Sequence, residues 1–232
     1  MRTLLAPSVV GALVVTTVLA SCSGPGQAGT PPDAESVIPL PAPSLPVRQE
    51  IIDMFEGRHS TREFPPEPVL LQEASSLLWA GYGFRRDGGR VVPSAGAIYP
   101  MTLYLVAGDV TGLDAGVYAY DPAGPQLALR RGGDVRDALM SASLDQAWVG
   151  AAPMSIVVAG APDRLRHRYG KRSERYAMME AGHIGQNLAL AVQPLGLGMV
   201  TVGAFDDEAV SRVVSLPRNE QPYYVLPVGR PR

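Results

Sequence analysis

The sequence has few of the residues that build disulfide frameworks or metal centres. It contains one cysteine and three histidines among 232 residues. A single cysteine has no partner for an internal disulfide, and the histidines show none of the close spacings of zinc ligands. We therefore predict neither a disulfide-stapled fold nor a metal site.

The sequence also lacks an excess of charge of one sign. The 20 lysines and arginines nearly balance the 22 aspartates and glutamates, and no dense basic run suggests a nucleic-acid groove. The exception is a basic cluster, which consists of Arg164, Arg166, His167, Arg168, Lys171, Arg172 and Arg175. It indicates either a solvated loop and helix start or a surface that binds an anion or faces a substrate. We predict no nucleic-acid partner.

No apolar run is long enough for a mature membrane span, which needs roughly 20 residues. The run at 9–20 follows the positive Arg2 and suits the apolar core of a signal peptide. It leads into LASC, which resembles the lipobox of bacterial lipoproteins. This resemblance implies that Cys22 is lipidated and anchors the protein to a membrane of the cell envelope. The alternative is an ordinary secretory signal with an unrelated cysteine.

Composition divides the chain into three parts. Residues 1–21 are predicted to be a lipoprotein signal peptide, and residues 22–46 form a Pro/Gly-rich segment that buries too little apolar surface to fold. We interpret the second part as a disordered tether. Residues 47–232 fit one domain with a substantial core.

The periodicity of apolar residues predicts a mixed fold for this domain. Helical spacing predicts a helix that ends near Gly57 and further helices over 70–82, 173–193 and 206–214. Alternating or continuous apolar runs predict strands over 102–108, 116–121, 127–130, 154–161, 199–202 and 223–228. The helix at 173–193 is apolar on almost every side, which is typical of a buried helix. Because the elements do not alternate regularly, we predict an α+β sandwich with a mostly antiparallel sheet.

Four separated strings combine arginine, serine and small residues or place polar residues on a predicted buried helix. They are GRHSTREF at 57–64, LLWAGYGF with PSAGAIYP up to residue 100, EAGHIGQNL at 180–188, and GLGMVTVGAFDD at 196–207. Arginine forks suit a phosphate, and small residues let the backbone approach a ring closely. Polar residues on the third string are expected to satisfy hydrogen bonds within a buried helix, and the alternative is that they contact a bound ligand or substrate directly.

In this order the strings resemble the FMN-dependent nitroreductase family. The string LLWA followed by PSAG resembles, more narrowly, its SagB-type thiazole/oxazole dehydrogenase branch. The resemblance covers nearly all of 47–232 and implies a nitroreductase-like sandwich, FMN as cofactor, and a homodimer whose sites lie at the subunit interface.

The resemblance also implies roles for individual residues. The first string would hold the FMN phosphate and the polar edge of the ring, the PSAG loop would contact the flavin held mainly by the partner subunit, and backbone amides of the fourth string would lie along the flavin edge. A terminal Gly-Arg pair would complete the phosphate site, with Arg232 a less certain addition. The implied FMN-binding residues are Arg58, His59, Ser60, Arg62, Pro93, Ser94, Ala95, Gly96, Val202, Gly203, Ala204, Gly229 and Arg230.

Two positions depart from the family pattern. Gly96 stands where many nitroreductases have asparagine. Arg168-Tyr169 stands where azoline-oxidising members have a Lys-Tyr pair. Because arginine stays protonated, it is a poor proton shuttle, and Tyr169 is the remaining candidate for a catalytic proton donor.

The resemblance implies a ping-pong hydride transfer through the flavin. NAD(P)H or another donor would reduce FMN, and a small electron-poor acceptor would reoxidise it. In the dehydrogenase variant an azoline-like, peptide-derived substrate would reduce FMN instead. The alternative is an envelope lipoprotein that binds flavin or another ligand without turnover. Hydrolase chemistry is not supported, because the sequence has no GxSxG elbow.

Overall fold

The computed structural model describes residues 48–232. The predicted signal peptide, tether and lipidated Cys22 lie outside the described residues. Within the described range, no helix combines the length and apolar character needed to cross a membrane.

The predicted helices and strands are present, with additional short ones. The helices are α1 (Gln49–Gly57), α2 (Leu71–Tyr82), α3 (Arg136–Ala142), α4 (Ala147–Ala151), α5 (Asp163–Tyr169), α6 (Ser173–Ala191) and α7 (Asp207–Val214). The strands are β1 (Val69–Leu70), β2 (Met101–Ala107), β3 (Val110–Thr111), β4 (Gly116–Asp121), β5 (Gln126–Gly132), β6 (Met154–Gly160), β7 (Gly198–Met199) and β8 (Gln221–Gly229).

The main sheet has six strands in the order β5-β4-β2-β6-β8-β7, and all of its strand pairs are antiparallel. This arrangement confirms the predicted α+β class. The strand expected at 199–202 is shorter than predicted, because only Gly198 and Met199 pair with the end of β8. Val202 instead makes an isolated bridge to Val225.

The sheet separates two hydrophobic cores. Strand β6 is buried at every position, with Ile156 and Val158 in the core beneath α2 and α6 and Val157 in the core beneath α3 and α7. A strand that is covered on both faces needs apolar residues at successive positions, which explains the unbroken run in the sequence. The molecule is therefore a three-layer sandwich.

Helix α6 buries one face in this sandwich. Its buried positions include Ala177, Ile184 and Leu188, whereas Met178 and Met179 are more than half exposed. Some apolar residues of α6 are therefore not buried by packing within one chain. Helix α6 is the long central helix that the sequence predicts, and its exposed positions combine these two methionines with polar side chains.

Three short helices are absent from the sequence predictions. Helices α3, α4 and α5 have only seven, five and seven residues. Segments this short give weak periodicity, and their stability comes mainly from tertiary contacts. Helix α4 bears on function, because it packs against two of the predicted FMN-binding segments.

Candidate functional site

The first group of predicted residues lies beside strand β7. Ser60 forms a parallel bridge with Met199, and the amide of Thr61 donates to the Met199 carbonyl at 2.9 Å. Gly198 is needed there, since a Cβ atom would lie within 3 Å of the Thr61 side chain. The backbone of the first string is thereby fixed against the start of the fourth string.

The polar side chains of this first group point to solvent. Arg58, His59, Ser60 and Arg62 are all exposed. Within residues 48–232, neither arginine pairs with a carboxylate and the Ser60 hydroxyl makes no hydrogen bond. Nδ1 of His59 lies 2.8 Å from the Gly57 carbonyl oxygen. Two arginines and a hydroxyl are thus available to an anion such as a phosphate.

Helix α4 and the turn before it connect the first and fourth strings. The Arg62 guanidinium lies 5.6 Å from the centre of the Trp148 ring. The Gln146 side-chain amide donates to the Ala204 carbonyl at 2.8 Å. Gln146 and Trp148 are therefore site residues that the sequence analysis missed, and no motif in the sequence marks either of them.

In the fourth string, the predicted residues differ in accessibility. Val202 is buried, and it exchanges two backbone hydrogen bonds with Val225 at 2.9 and 3.0 Å. Its amide is occupied by the sheet, so it does not extend toward a ligand as expected. Gly203 and Ala204 are exposed. Gly203 lines a cavity of about 350 Å³ together with residues of α6 and β8.

Arg230, which is predicted to bind the FMN phosphate, instead contacts other groups of the protein. One guanidinium nitrogen of Arg230 pairs with Glu73 at 2.6 Å, and the other donates to the Leu195 carbonyl at 3.0 Å. Glu73 also accepts from the Leu70 amide and so caps the start of α2. Arg230 therefore joins α2 to the end of β8. Gly229 is buried against Pro153 and Phe64.

The PSAG loop forms a second group of predicted residues, near the start of β2. It contains Pro93, Ser94, Ala95 and Gly96 and is partly to fully exposed. Gly96 has a φ of +60°, in the left-handed region that favours glycine. A Cβ atom there would lie 2.7 Å from the Tyr169 hydroxyl. The predicted proton donor and the loop are therefore neighbours.

A buried carboxyl supports this loop from below. Tyr82 donates to Glu180 at 2.7 Å and accepts from the Met101 amide at 3.1 Å. Burial raises the pKa of Glu180, although contacts with Ser94, Tyr82, His183 and Arg90 act in the opposite direction. Burial and the nearby Glu180 carboxylate also raise the pKa of Tyr82.

Two of the four polar residues of the third string make hydrogen bonds within the fold. Besides Glu180, Asn187 donates to the carbonyls of Ala80 and Val91 at 3.1 and 3.4 Å. His183 and Gln186 are exposed. The sequence analysis did not identify Tyr82 and Arg90 as supports of the loop, although Tyr82 belongs to the LLWAGYGF string.

One chain does not bring the two groups together. The PSAG loop precedes Met101, which pairs with Gly160 and through it with Gln221 at the start of β8. The first string lies at the other end of β8, beside Gly229. A strand of nine residues, such as β8, is about 27 Å long. The loop also packs on the core beneath α6, whereas Trp148 packs on the opposite core.

A comparison with known protein families identifies the family of this chain. The profile of the nitroreductase family matches residues 55–230, which include all four strings. The chain belongs to the nitroreductase family. MJ1384 of Methanocaldococcus jannaschii, which is named as a nitroreductase, is 38% identical to this chain over 179 residues, which are 77% of this chain and 89% of the relative.

Two solved nitroreductase structures share the fold. One from Ralstonia eutropha is 30% identical, with a TM-score of 0.69 over 83% of this chain and 88% of that chain. One from Anabaena variabilis is 29% identical, with a TM-score of 0.72 over 79% of this chain. The match spans only 38% of the Anabaena chain.

Two more distant structures resemble this chain in fold alone. The Escherichia coli microcin synthetase McbBCD complex, with truncated pro-MccB17 bound, gives a TM-score of 0.66 at 22% identity over 86% of this chain and 79% of that chain. The NADPH:FMN oxidoreductase of Vibrio harveyi, complexed with NAD⁺, gives 0.57 at 18% identity over 78% and 69%.

Proposed function

We propose that this chain is an FMN-dependent oxidoreductase whose site is assembled from two copies. The separation of the two groups supports this proposal most strongly. Arg58, Ser60 and Arg62 lie near one end of β8, and the PSAG loop lies near the other end. In a homodimer, each loop can lie over the first group of the partner.

The residues of the first group fit the FMN phosphate. Arg58 and Arg62 are exposed and, within 48–232, have no carboxylate partner, so a dianionic phosphate would receive charge-assisted hydrogen bonds from both. Ser60 can donate a further hydrogen bond. Because Arg230 is held by Glu73, it contributes to this site by fixing the end of β8 rather than by contacting the phosphate.

The remaining residues would orient the ring and handle a proton. Gly203 carries no side chain, so its backbone allows close approach of a planar group. Tyr169 lies at the PSAG loop, where its hydroxyl can donate a proton to a substrate. FMN, when bound, would supply the hydride chemistry, with NAD(P)H or another donor as the source of electrons.

A second copy would also cover the exposed face of α6. Met178 and Met179 are 57% and 53% exposed, so their side chains are accessible to a second copy. A homodimer interface on this face of α6 would bury both methionines, which remain exposed in a single chain. The proposed dimer would therefore complete the FMN site and also cover the exposed methionines of α6.

Within the family, we place the chain near the SagB-type branch. The LLWA and PSAG strings support this placement, and the fold of the microcin synthetase complex, which has a peptide bound, agrees with it. Arg168 in place of lysine favours a small electron-poor acceptor over azoline oxidation, because arginine does not release its proton.

The decisive experiment measures flavin retention and reduction. A protein that contains residues 48–232, which belong to one compact unit, is loaded with FMN and freed of excess flavin. Its visible spectrum is recorded before and after addition of NADPH under anaerobic conditions. We expect about one flavin per chain and bleaching on reduction. Arg58→Gln with Arg62→Gln should weaken FMN binding on the order of ten-fold to a hundred-fold, whereas the exposed Arg212→Gln should not.

Two other outcomes would contradict the proposal differently. A dimer that retains no flavin would mean that the fold serves another ligand. A protein that holds flavin but transfers no electrons from NADPH or a thiazoline peptide would support the non-catalytic binding lipoprotein.

We further propose that Cys22 carries a lipid that anchors the protein in the cell envelope. The LASC string supports this proposal. Labelled fatty acid should be incorporated into the wild-type protein in bacteria and not into Cys22→Ser. Equal labelling of both would show that the cysteine is not the lipidation site.

A further inference from the structure

The basic cluster is dense for a chain that carries almost no net charge. Residues 163–175 contain six lysines and arginines against two carboxylates, whereas the whole chain has a net charge of −2. All six cations are exposed, as is His167. Exposed cations at this density create a positive potential over the surface that they share.

This positive charge is only weakly neutralised by neighbouring groups. Among the described residues, Arg166 is the one cation of the cluster in an ion pair, with Asp163 at 2.6 Å. Glu174, the second carboxylate, accepts hydrogen bonds from Gln221 and Tyr223 at 2.8 and 3.1 Å. Five cations therefore remain available to an external anion.

The cluster is continuous with the PSAG loop. Arg164 donates to the Ile98 carbonyl at 3.0 Å, and the Arg168 guanidinium lies 2.7 Å from the position of a Cβ atom on Gly96. Arg164 is thus bonded next to the loop that is proposed to face the flavin of the partner, and Arg168 lies beside it. Lys171, Arg172 and Arg175 extend the same surface outward along the start of α6.

We propose that the basic cluster is the entry surface of the redox site for a small anionic substrate that carries a carboxylate or a phosphate. This inference rests on the proposed function, and it names the substrate class of the same site. Arginine forks bind either group, and a positive rim raises the local concentration of anions and speeds their association. A membrane surface is disfavoured as the partner, because Arg164 and Arg168 are held against the loop.

The test compares two electron acceptors of nearly equal shape and different charge. The FMN-loaded protein is reduced anaerobically with dithionite, and its reoxidation by para-nitrobenzoate or by neutral para-nitrobenzamide is followed by stopped flow. We expect the triple variant Lys171→Gln, Arg172→Gln, Arg175→Gln to slow the reaction with the anion about ten-fold. The reaction with the amide should change less than about two-fold.

A matched variant controls for the change in net charge. Arg130→Gln, Arg131→Gln, Arg212→Gln removes the same charge from exposed positions on β5 and α7. It should leave the ratio of the two rates close to that of the wild type. Added salt should slow the wild-type reaction with the anion and have little effect on the reaction with the amide.

Each other result overturns the inference. Equal slowing of both acceptors, or no slowing, would show that the cluster does not select anions. Loss of binding to phosphatidylglycerol vesicles with an unchanged rate ratio would assign the cluster to a lipid surface. The flavin content of each variant is measured separately, so a wild-type protein without flavin would refute the proposed function instead.

Discussion

At the scale of single residues, the most unusual group is the carboxyl of Glu180. It is 1% exposed, accepts from Tyr82, and has no hydrogen-bond partner for its second oxygen among the described protein atoms. A buried carboxylate without full hydrogen bonding is costly, which is why its pKa is raised. This carboxyl and Tyr82 together hold the base of the PSAG loop.

We predict that Glu180 makes stability depend on pH. Because its pKa is higher in the folded state than in the unfolded state, its contribution is greatest below the usual glutamate value. That contribution is lost as the pH rises through the raised pKa. The free energy of unfolding of the wild type, relative to Glu180→Gln, should therefore fall as the pH rises above the usual glutamate pKa.

Urea unfolding of both proteins across this range is the measurement. Glu67→Gln, at an exposed position, serves as the control and should not reproduce the trend. Parallel stability curves for the wild type and Glu180→Gln would show that burial does not affect this carboxyl.

At the scale of elements, helix α6 has one face buried in the core of the chain and another face exposed. Leu188 is 1% exposed and belongs to the core beneath α2 and α6, whereas Met178 on the other face is 57% exposed. A buried leucine contributes both its transfer free energy and the filling of a cavity. An exposed methionine contributes little until another surface covers it.

We predict different consequences for the two faces of α6. Leu188→Ala should lower the free energy of unfolding by about 2–5 kcal/mol. Met178→Ala should change the unfolding of the isolated chain by less than about 0.5 kcal/mol but weaken the proposed dimer. Denaturant titration and sedimentation equilibrium measure the two effects. An unchanged dimer with Met178→Ala would place the interface elsewhere.

At the scale of the whole molecule, the central prediction is a composite site. One variant chain carries Arg58→Ala with Arg62→Ala, and another carries Gly96→Leu in the PSAG loop. Each should lack activity as a homodimer, since every site contains one defective half. Mixed dimers contain one intact site, so random re-association of equal amounts should restore about a quarter of the wild-type activity.

Two differently tagged chains allow the mixed dimers to be isolated and assayed. Each variant must first match the wild type in circular dichroism, so that misfolding is not mistaken for a lost site. Isolated mixed dimers without activity would place both groups in one chain's site and contradict the proposed assembly.

Much of the fold could be predicted from sequence because its signals are local. The spacing of apolar residues within a short stretch of sequence predicts helix α6 and strand β6, and both lie close to their predicted bounds. Helices α3, α4 and α5 could not be predicted, because they are short and depend on packing. As a result, Trp148 on α4 and Gln146 in the turn before α4 could not be assigned to the candidate site from sequence.

The sequence by itself determined the α+β class, the order of the main strands and helices, and the four family strings. Only the tertiary structure decided that Glu73 holds Arg230, that the sheet occupies the amide of Val202, and that the PSAG loop lies far from Arg58 and Arg62. The physical reason is range. Periodicity and turn chemistry act over a few residues, whereas ion pairs, strand register and the side of the sheet depend on residues distant in the chain.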